Sequence, residues 1–227
     1  MQFQSHPDCR LCQAHARLPT EPLEGRRHHV GVPTALYAPS LPPAPGVPYL
    51  IVLGQNPGFH ESLENAPFVG PSGKLLKSHY LRDLKGISSI YLMNAARCGS
   101  WEGVPAPVHA EALCCSRAYI GEDLAQIVSV HGDGAIGVLL AVGAPASAVV
   151  GHLMTGKKFD SLTRALSKQG QMWNGLICHF TLHPAFCLRD RNGLVAVDDH
   201  MALVRRSLLG EIPPRTTPNI VPPRMPP

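Results

Sequence analysis

Apolar residues in this chain come in short unbroken runs separated by longer amphipathic stretches. Tyr49-Leu50-Ile51-Val52-Leu53 is continuous and is stopped by Gly54, the pattern of a strand buried on both faces, as in parallel sheets. Ser89 to Met93 and Gly137 to Val142 read the same way, and Leu176 to Leu182 alternates loosely as a fourth strand. The intervening stretches carry helical spacing. Ser72 is placed to cap a helix on which Leu76, Tyr80 and Leu84 recur every four residues, with Lys77 and Arg82 on other faces. A helical stretch from about Val108 to Val128, a short helix over Ala144 to Leu153, and a last one over Val197 to Leu208 complete the pattern; Met201, Val204 and Leu208 share one side of the last.

Strand and helix therefore alternate four times, which predicts an α/β fold: a doubly wound, mainly four-stranded parallel sheet flanked by helices, with ligands beyond the carboxyl ends of the strands. Ahead of this core lie a cysteine-containing head and Leu18 to Pro48, rich in Pro, Gly and His and read as a long loop or edge excursion. From Glu211 onward seven prolines fall in seventeen residues, a composition that neither continues a helix nor builds a core. Residues 1–210 are thus expected to form one domain, and 211–227 a disordered or surface-hugging tail.

Composition narrows the setting. A chain of 227 residues with 44% hydrophobic content can bury one sizeable core. A net charge of +4 permits nucleic-acid binding without demonstrating it. The amino terminus has no basic run followed by an apolar stretch, and no apolar segment is long enough to span a bilayer, so the chain reads as soluble and cytoplasmic. Nothing demands more than one copy, and a monomer is expected. Seven cysteines, without a secretory signal, point to metal chemistry rather than disulfides. Cys9 and Cys12 form a C-x-x-C pair, and Cys98 and Cys114 complete a set of four thiolates suited to one tetrahedral or cubane site. Spacing alone allows zinc, and Cys115 rivals Cys114. Outside such a site, Cys115, Cys178 and Cys187 read as ordinary buried or surface residues.

Two polar motifs fall at strand ends. Gly54-Gln55-Asn56-Pro57-Gly58 closes the first strand and is followed by Pro67-Phe68-Val69-Gly70-Pro71-Ser72-Gly73; His183-Pro184-Ala185-Phe186 closes the fourth. In a doubly wound sheet both reach the same rim. By itself the first is a generic phosphate-binding or structural turn as readily as an active-site loop, and a lone histidine is more often structural.

Taken together, these blocks resemble the uracil-DNA glycosylase superfamily. GQNPG with PFVGPSG is similar to its first motif in the iron–sulfur family-four spacing, Tyr91 to Cys98 to its strand ending in Asn before a cluster cysteine, Ala141 to Ala146 to its LGATA segment, and His183 to Arg189 to its HPSYLLR. The likeness runs from Cys9 to about Leu208. It implies a monofunctional DNA glycosylase of α/β/α fold that flips a pyrimidine out of DNA and hydrolyses its N-glycosidic bond. In that scheme His183 donates to the base O2 and Asn56 holds the attacking water. Gln55, Gly58, Phe68 and Asn94 bind the base, Phe68 by stacking and Asn94 by reading its edge. Ser72, Lys74, Phe186 and Arg189 contact DNA, Phe186 as wedge; Lys77 is a further phosphate candidate, and for both lysines a solvated surface role competes. The same resemblance implies that Cys9, Cys12, Cys98 and Cys114 hold a structural 4Fe–4S cluster, with zinc as the alternative.

The chain departs from the family-four pattern at informative places. The acidic residue of GE-x-PG is Gln55, and Asn56 makes the motif look like the asparagine type of the mismatch-specific and single-strand-selective glycosylases. An amide can position water but not deprotonate it. Gly99-Ser100-Trp101 replaces an arginine-proline-proline after the third cysteine, while Glu61 keeps an acidic position of open role. Gly58 stands where uracil-specific enzymes carry a tyrosine that blocks a 5-substituent. Three expectations follow: uracil removal in repair, removal of a 5-modified pyrimidine such as a hypermodified viral base in defence, or a catalytically weak member that binds DNA.

Overall fold

The computed structural model describes residues 9–16, 34–36, 40–64, 66–99 and 106–215. In chain order the elements are α1 (Gln13–Ala16), β1 (Thr34–Leu36), β2 (Tyr49–Gly54), α2 (Phe59–Glu64), α3 (Pro71–Leu75), β3 (Ser89–Asn94), α4 (His109–His131), β4 (Gly137–Val142), α5 (Ala144–Thr155), α6 (Leu162–Leu166), β5 (Gln171–Trp173), β6 (Leu176–Thr181), α7 (Pro184–Arg189) and α8 (Gly193–Leu208). The sheet order is β1-β3-β2-β4-β6-β5. The four inner strands are parallel, as their two-sided apolar runs require, and short antiparallel strands close both edges.

Every residue of the four inner strands is buried. One face of the sheet, carrying Ile51, Leu53, Tyr91, Met93, Leu139 and Phe180, packs on α4, α5 and α6. The other, carrying Leu50, Val52, Ile90, Leu92, Val138 and Leu140, packs on the α3 region and α8. The chain leaves β2 towards one layer and β4 towards the other. Their carboxyl ends therefore open a crevice, the switch point at which doubly wound sheets bind ligands.

The first helix differs from the expectation. Ser72 does not cap it: Gly70 is the N-cap with no side-chain bond, and Pro71 opens the helix, because proline has no N–H to satisfy and its φ already suits a first turn. After Leu75 the helix widens into a π turn over Leu76–Tyr80, where Leu81 N–H donates to the Leu76 carbonyl at 3.0 Å. The wider turn brings Tyr80 and Leu81 inward together with Leu76 and Leu84, and all four are buried.

α4 begins where the Glu111 carboxylate accepts the Val108 N–H at 2.9 Å. It ends at His131, which is bonded to the Tyr91 hydroxyl (2.8 Å) and the Val47 carbonyl (2.7 Å) and stacked on Tyr49. α8 begins four residues before the expected start and does bury Met201, Val204 and Leu208, with Val197. Of the expected tail, Arg215 pairs with Gly170 and Met172 at the β5 edge; residues 216–227 lie outside the described residues, as do most of 18–48 and Ser100 with Trp101. Among the described residues no helix is long and apolar enough to cross a membrane.

Candidate active site

The parallel ladder continues past the ends of β2 and β3. Ala95 N–H donates to the Gly54 carbonyl (2.9 Å) and Ala96 N–H to that of Gln55 (2.8 Å), so Asn94 is fixed directly beside Gly54. Gly54 is required there by close approach: a Cβ would come within 2.5 Å of Asn94 Oδ1 and 2.7 Å of the Phe68 ring. Asn94 and Phe68, both buried, thus converge on the bare backbone of residue 54. Phe68 has a φ of 56°, the left-handed region that a bulky side chain rarely occupies.

On the same loop Asn56 Nδ2 donates to the Pro57 carbonyl at 2.8 Å. The Gln55 side chain is turned to the segment that leads into α4, where Nε2 donates to the Pro107 carbonyl at 3.3 Å; it tethers the loop. Glu61, in the first turn of α2, accepts the amide N–H groups of Gly58 (3.2 Å), Val69 (2.9 Å) and Gly70 (2.8 Å). Sequence reading left the role of Glu61 open, because the residues that it joins are reached through backbone alone.

His183 follows β6 and is the N-cap of α7, with Nδ1 accepting the Ala185 N–H at 3.1 Å. That bond places the ring proton of the neutral form on Nε2, which makes Nε2–H a donor. Burial pushes the His183 pKa below its ordinary value and the nearby Arg189 adds to this, while the Glu61 carboxylate opposes it. The neutral donor is therefore the resting form near neutral pH. Further along α7, Phe186 is 41% exposed and Arg189 exposed. Lys74 is exposed and Ser72 half-buried. Lys77 is half-buried, its pKa lowered by burial against the opposing pull of Glu61 and Glu64.

The cysteines gather at a separate corner, where the head meets α4 and the end of β3. Cys9 Sγ accepts the Tyr119 hydroxyl at 3.1 Å, and the Cys114 thiol donates to the Leu11 carbonyl at 3.5 Å. Cys115 instead turns inward and accepts the Arg97 N–H at 3.3 Å. The thiols sense one another: burial pushes Cys98 up to about 12, aided by Cys115, Cys12 and Cys9, and Cys12 is raised by burial with help from Cys114 and Cys9. No three His, Cys, Asp or Glu side chains among the described residues are grouped to hold a metal ion. Sequence reading missed the network beneath: buried Arg97 pairs with buried Asp123 and lies 4.4 Å above the Tyr119 ring. Of the two readings left open for Cys178 and Cys187, burial is the one that the structure shows: both lie in the core.

A family model described as the uracil DNA glycosylase superfamily matches residues 44–208, the span that carries the whole crevice. No curated protein matches the chain. With most of its length matched, the chain belongs to the uracil DNA glycosylase superfamily.

Proposed function

We propose that this superfamily member is a monofunctional DNA glycosylase that takes a pyrimidine nucleotide out of the helix and hydrolyses its N-glycosidic bond. The observation that carries this reading is the hydrogen bond of His183: a half-buried ring whose Nδ1 accepts the Ala185 amide, which leaves the Nε2–H of the neutral form as donor. Cleavage breaks the bond between C1′ and the base nitrogen, with the electron pair departing on the base as a pyrimidine anion. A donor aimed at O2 stabilises that charge as it grows, while water adds to C1′ and releases its proton. Asn56 orients the water, Phe68 stacks on the extruded base, and Asn94 reads its edge, while Gln55 and Gly58 hold the loop through Pro107 and Glu61 rather than meeting the base. Phe186 enters the vacated stack, and Arg189 with Ser72 and Lys74 meets the backbone phosphates.

Uracil is the first substrate to test. Gly58 favours a second, a pyrimidine substituted at carbon five, because no ring at residue 58 closes that side. Four cysteines, Cys9, Cys12, Cys98 and Cys114, form a donor set of the right chemistry for a 4Fe–4S cluster, with zinc as the alternative. Cys114 suits the fourth position better than Cys115, since it faces the head at Leu11 whereas Cys115 faces Arg97. Bound there, the cluster would supply a cation that neutralises neighbouring thiolates and cross-links the head to α4.

The test is abasic-site formation by the purified protein on oligonucleotides carrying uracil or a panel of 5-substituted pyrimidines, hydroxymethylcytosine included. Cleavage at any of these supports the reading and names the base. DNA binding without cleavage of any strand overturns it and leaves a binding module.

A further inference from the structure

The loop that presents Phe68 is held in a conformation that its own residues do not favour. Phe68 is one of two non-glycine residues with positive φ among the described residues. Its carbonyl lies so close to Gly73 that a Cβ on residue 73 would collide with it. Two backbone segments are thus pressed together at the stacking residue, and something must keep the loop there.

Glu61 makes the bonds that can. As the third residue of α2 it reaches back to the Gly58 N–H, which by itself is half of an ordinary capping box, with Ser62 N–H bonded to the Gly58 carbonyl at 3.0 Å. Its other oxygen goes elsewhere. Oε1 accepts both Val69 N–H and Gly70 N–H, the two amides that follow Phe68, and Gly70 is the N-cap of α3. One carboxylate therefore ties the start of α2, on the Asn56 loop, to the start of α3, on the Phe68 loop. Gly58 has no side chain to obstruct this: a Cβ there would lie 2.7 Å from Glu61 Oε2.

We infer that Glu61 is a positioning residue that fixes the water-orienting loop and the base-stacking Phe68 in one geometry. The inference rests on the glycosylase reading, and the two fail differently. Charge-assisted bonds from three amides fix the loop more firmly than neutral ones would.

Glu61→Ala and Glu61→Gln variants, compared with wild type under single-turnover conditions, test this. For Glu61→Ala the cleavage rate should fall about 100-fold with DNA affinity changed less than about threefold, because the defect is misplacement of reacting groups. Glu61→Gln keeps one acceptor oxygen and should fall less. Its amides at Val69 and Gly70 should exchange faster than in wild type, because a neutral oxygen holds them less firmly than a carboxylate. Rates within about threefold of wild type in Glu61→Ala, or unchanged protection of Val69 and Gly70 in Glu61→Gln, would overturn the inference. If Glu61→Ala does not fold, Glu61→Gln alone decides. If wild type cleaves nothing, the glycosylase reading has failed, and amide hydrogen exchange then judges the clamp: faster exchange at Val69 and Gly70 in either folded variant supports it, and unchanged protection refutes it.

Discussion

The crevice at the strand ends and the cysteine corner lie on the same fold but are held in different ways. At the crevice, the bonds fix backbone amides: the β2–β3 ladder runs on through Ala95 and Ala96, Glu61 ties two loops, and His183 caps its own helix. At the corner, side chains pack on side chains. Arg97, Asp123 and Tyr119 form a buried base on which mutually raised thiols rest. The crevice is shaped by bonds to backbone groups, whereas the corner gathers thiols whose pKa burial raises. Geometry in the crevice should therefore survive changes that loosen the corner, and the reverse.

The largest expected effect breaks the corner. Arg97→Met leaves the Asp123 carboxylate buried without its guanidinium and should destabilise the protein by about 3–5 kcal/mol, read as a lower urea midpoint. Next comes the crevice. Gly54→Ala pushes a methyl group into Asn94 and Phe68 and should slow single-turnover cleavage about 100-fold, with a urea midpoint closer to wild type than that of Arg97→Met. Equal stability losses in the two variants would erase the distinction between the regions.

Acid provides a graded version. Burial lowers the pKa of His131, His179, His183 and His200, that of His179 to about 4. These rings take up protons in the unfolded chain below 6.5 but resist them when folded, so their contribution to stability is full above 6.5 and is lost as pH falls towards 4. The urea midpoint should drop across that window. Replacing His179 by Gln should flatten the drop, since its bonds to Gln169 and Ser207 hold a ring that must stay neutral. The smallest effect falls on DNA contact: Phe186→Ala should weaken binding to duplex DNA about tenfold or less, and binding to single-stranded DNA hardly at all, since no stack needs filling there.

Much of this was legible in sequence, for identifiable reasons. The four inner strands declare themselves because burial on both faces writes unbroken apolar runs, and the GQNPG, Asn94 and HPAF positions follow because they end those runs. The edge strands Thr34–Leu36 and Gln171–Trp173 are three residues each, too short to carry a period. Ser72 looked like a cap because its type suits one, but Pro71 starts the helix earlier. The clamp made by Glu61 was hidden because its partners are amide groups, which have no letter in the sequence. The Arg97–Asp123 pair was hidden because its partners lie 26 residues apart and only the packing of α4 joins them.

The central claim is that a neutral His183 donor drives base release. Its most direct test is single-turnover formation of abasic sites by wild type and His183→Ala, each with DNA affinity measured on the same oligonucleotide. The account predicts a rate about 100- to 1,000-fold lower in the variant at nearly unchanged affinity. Equal rates in the two proteins would contradict it.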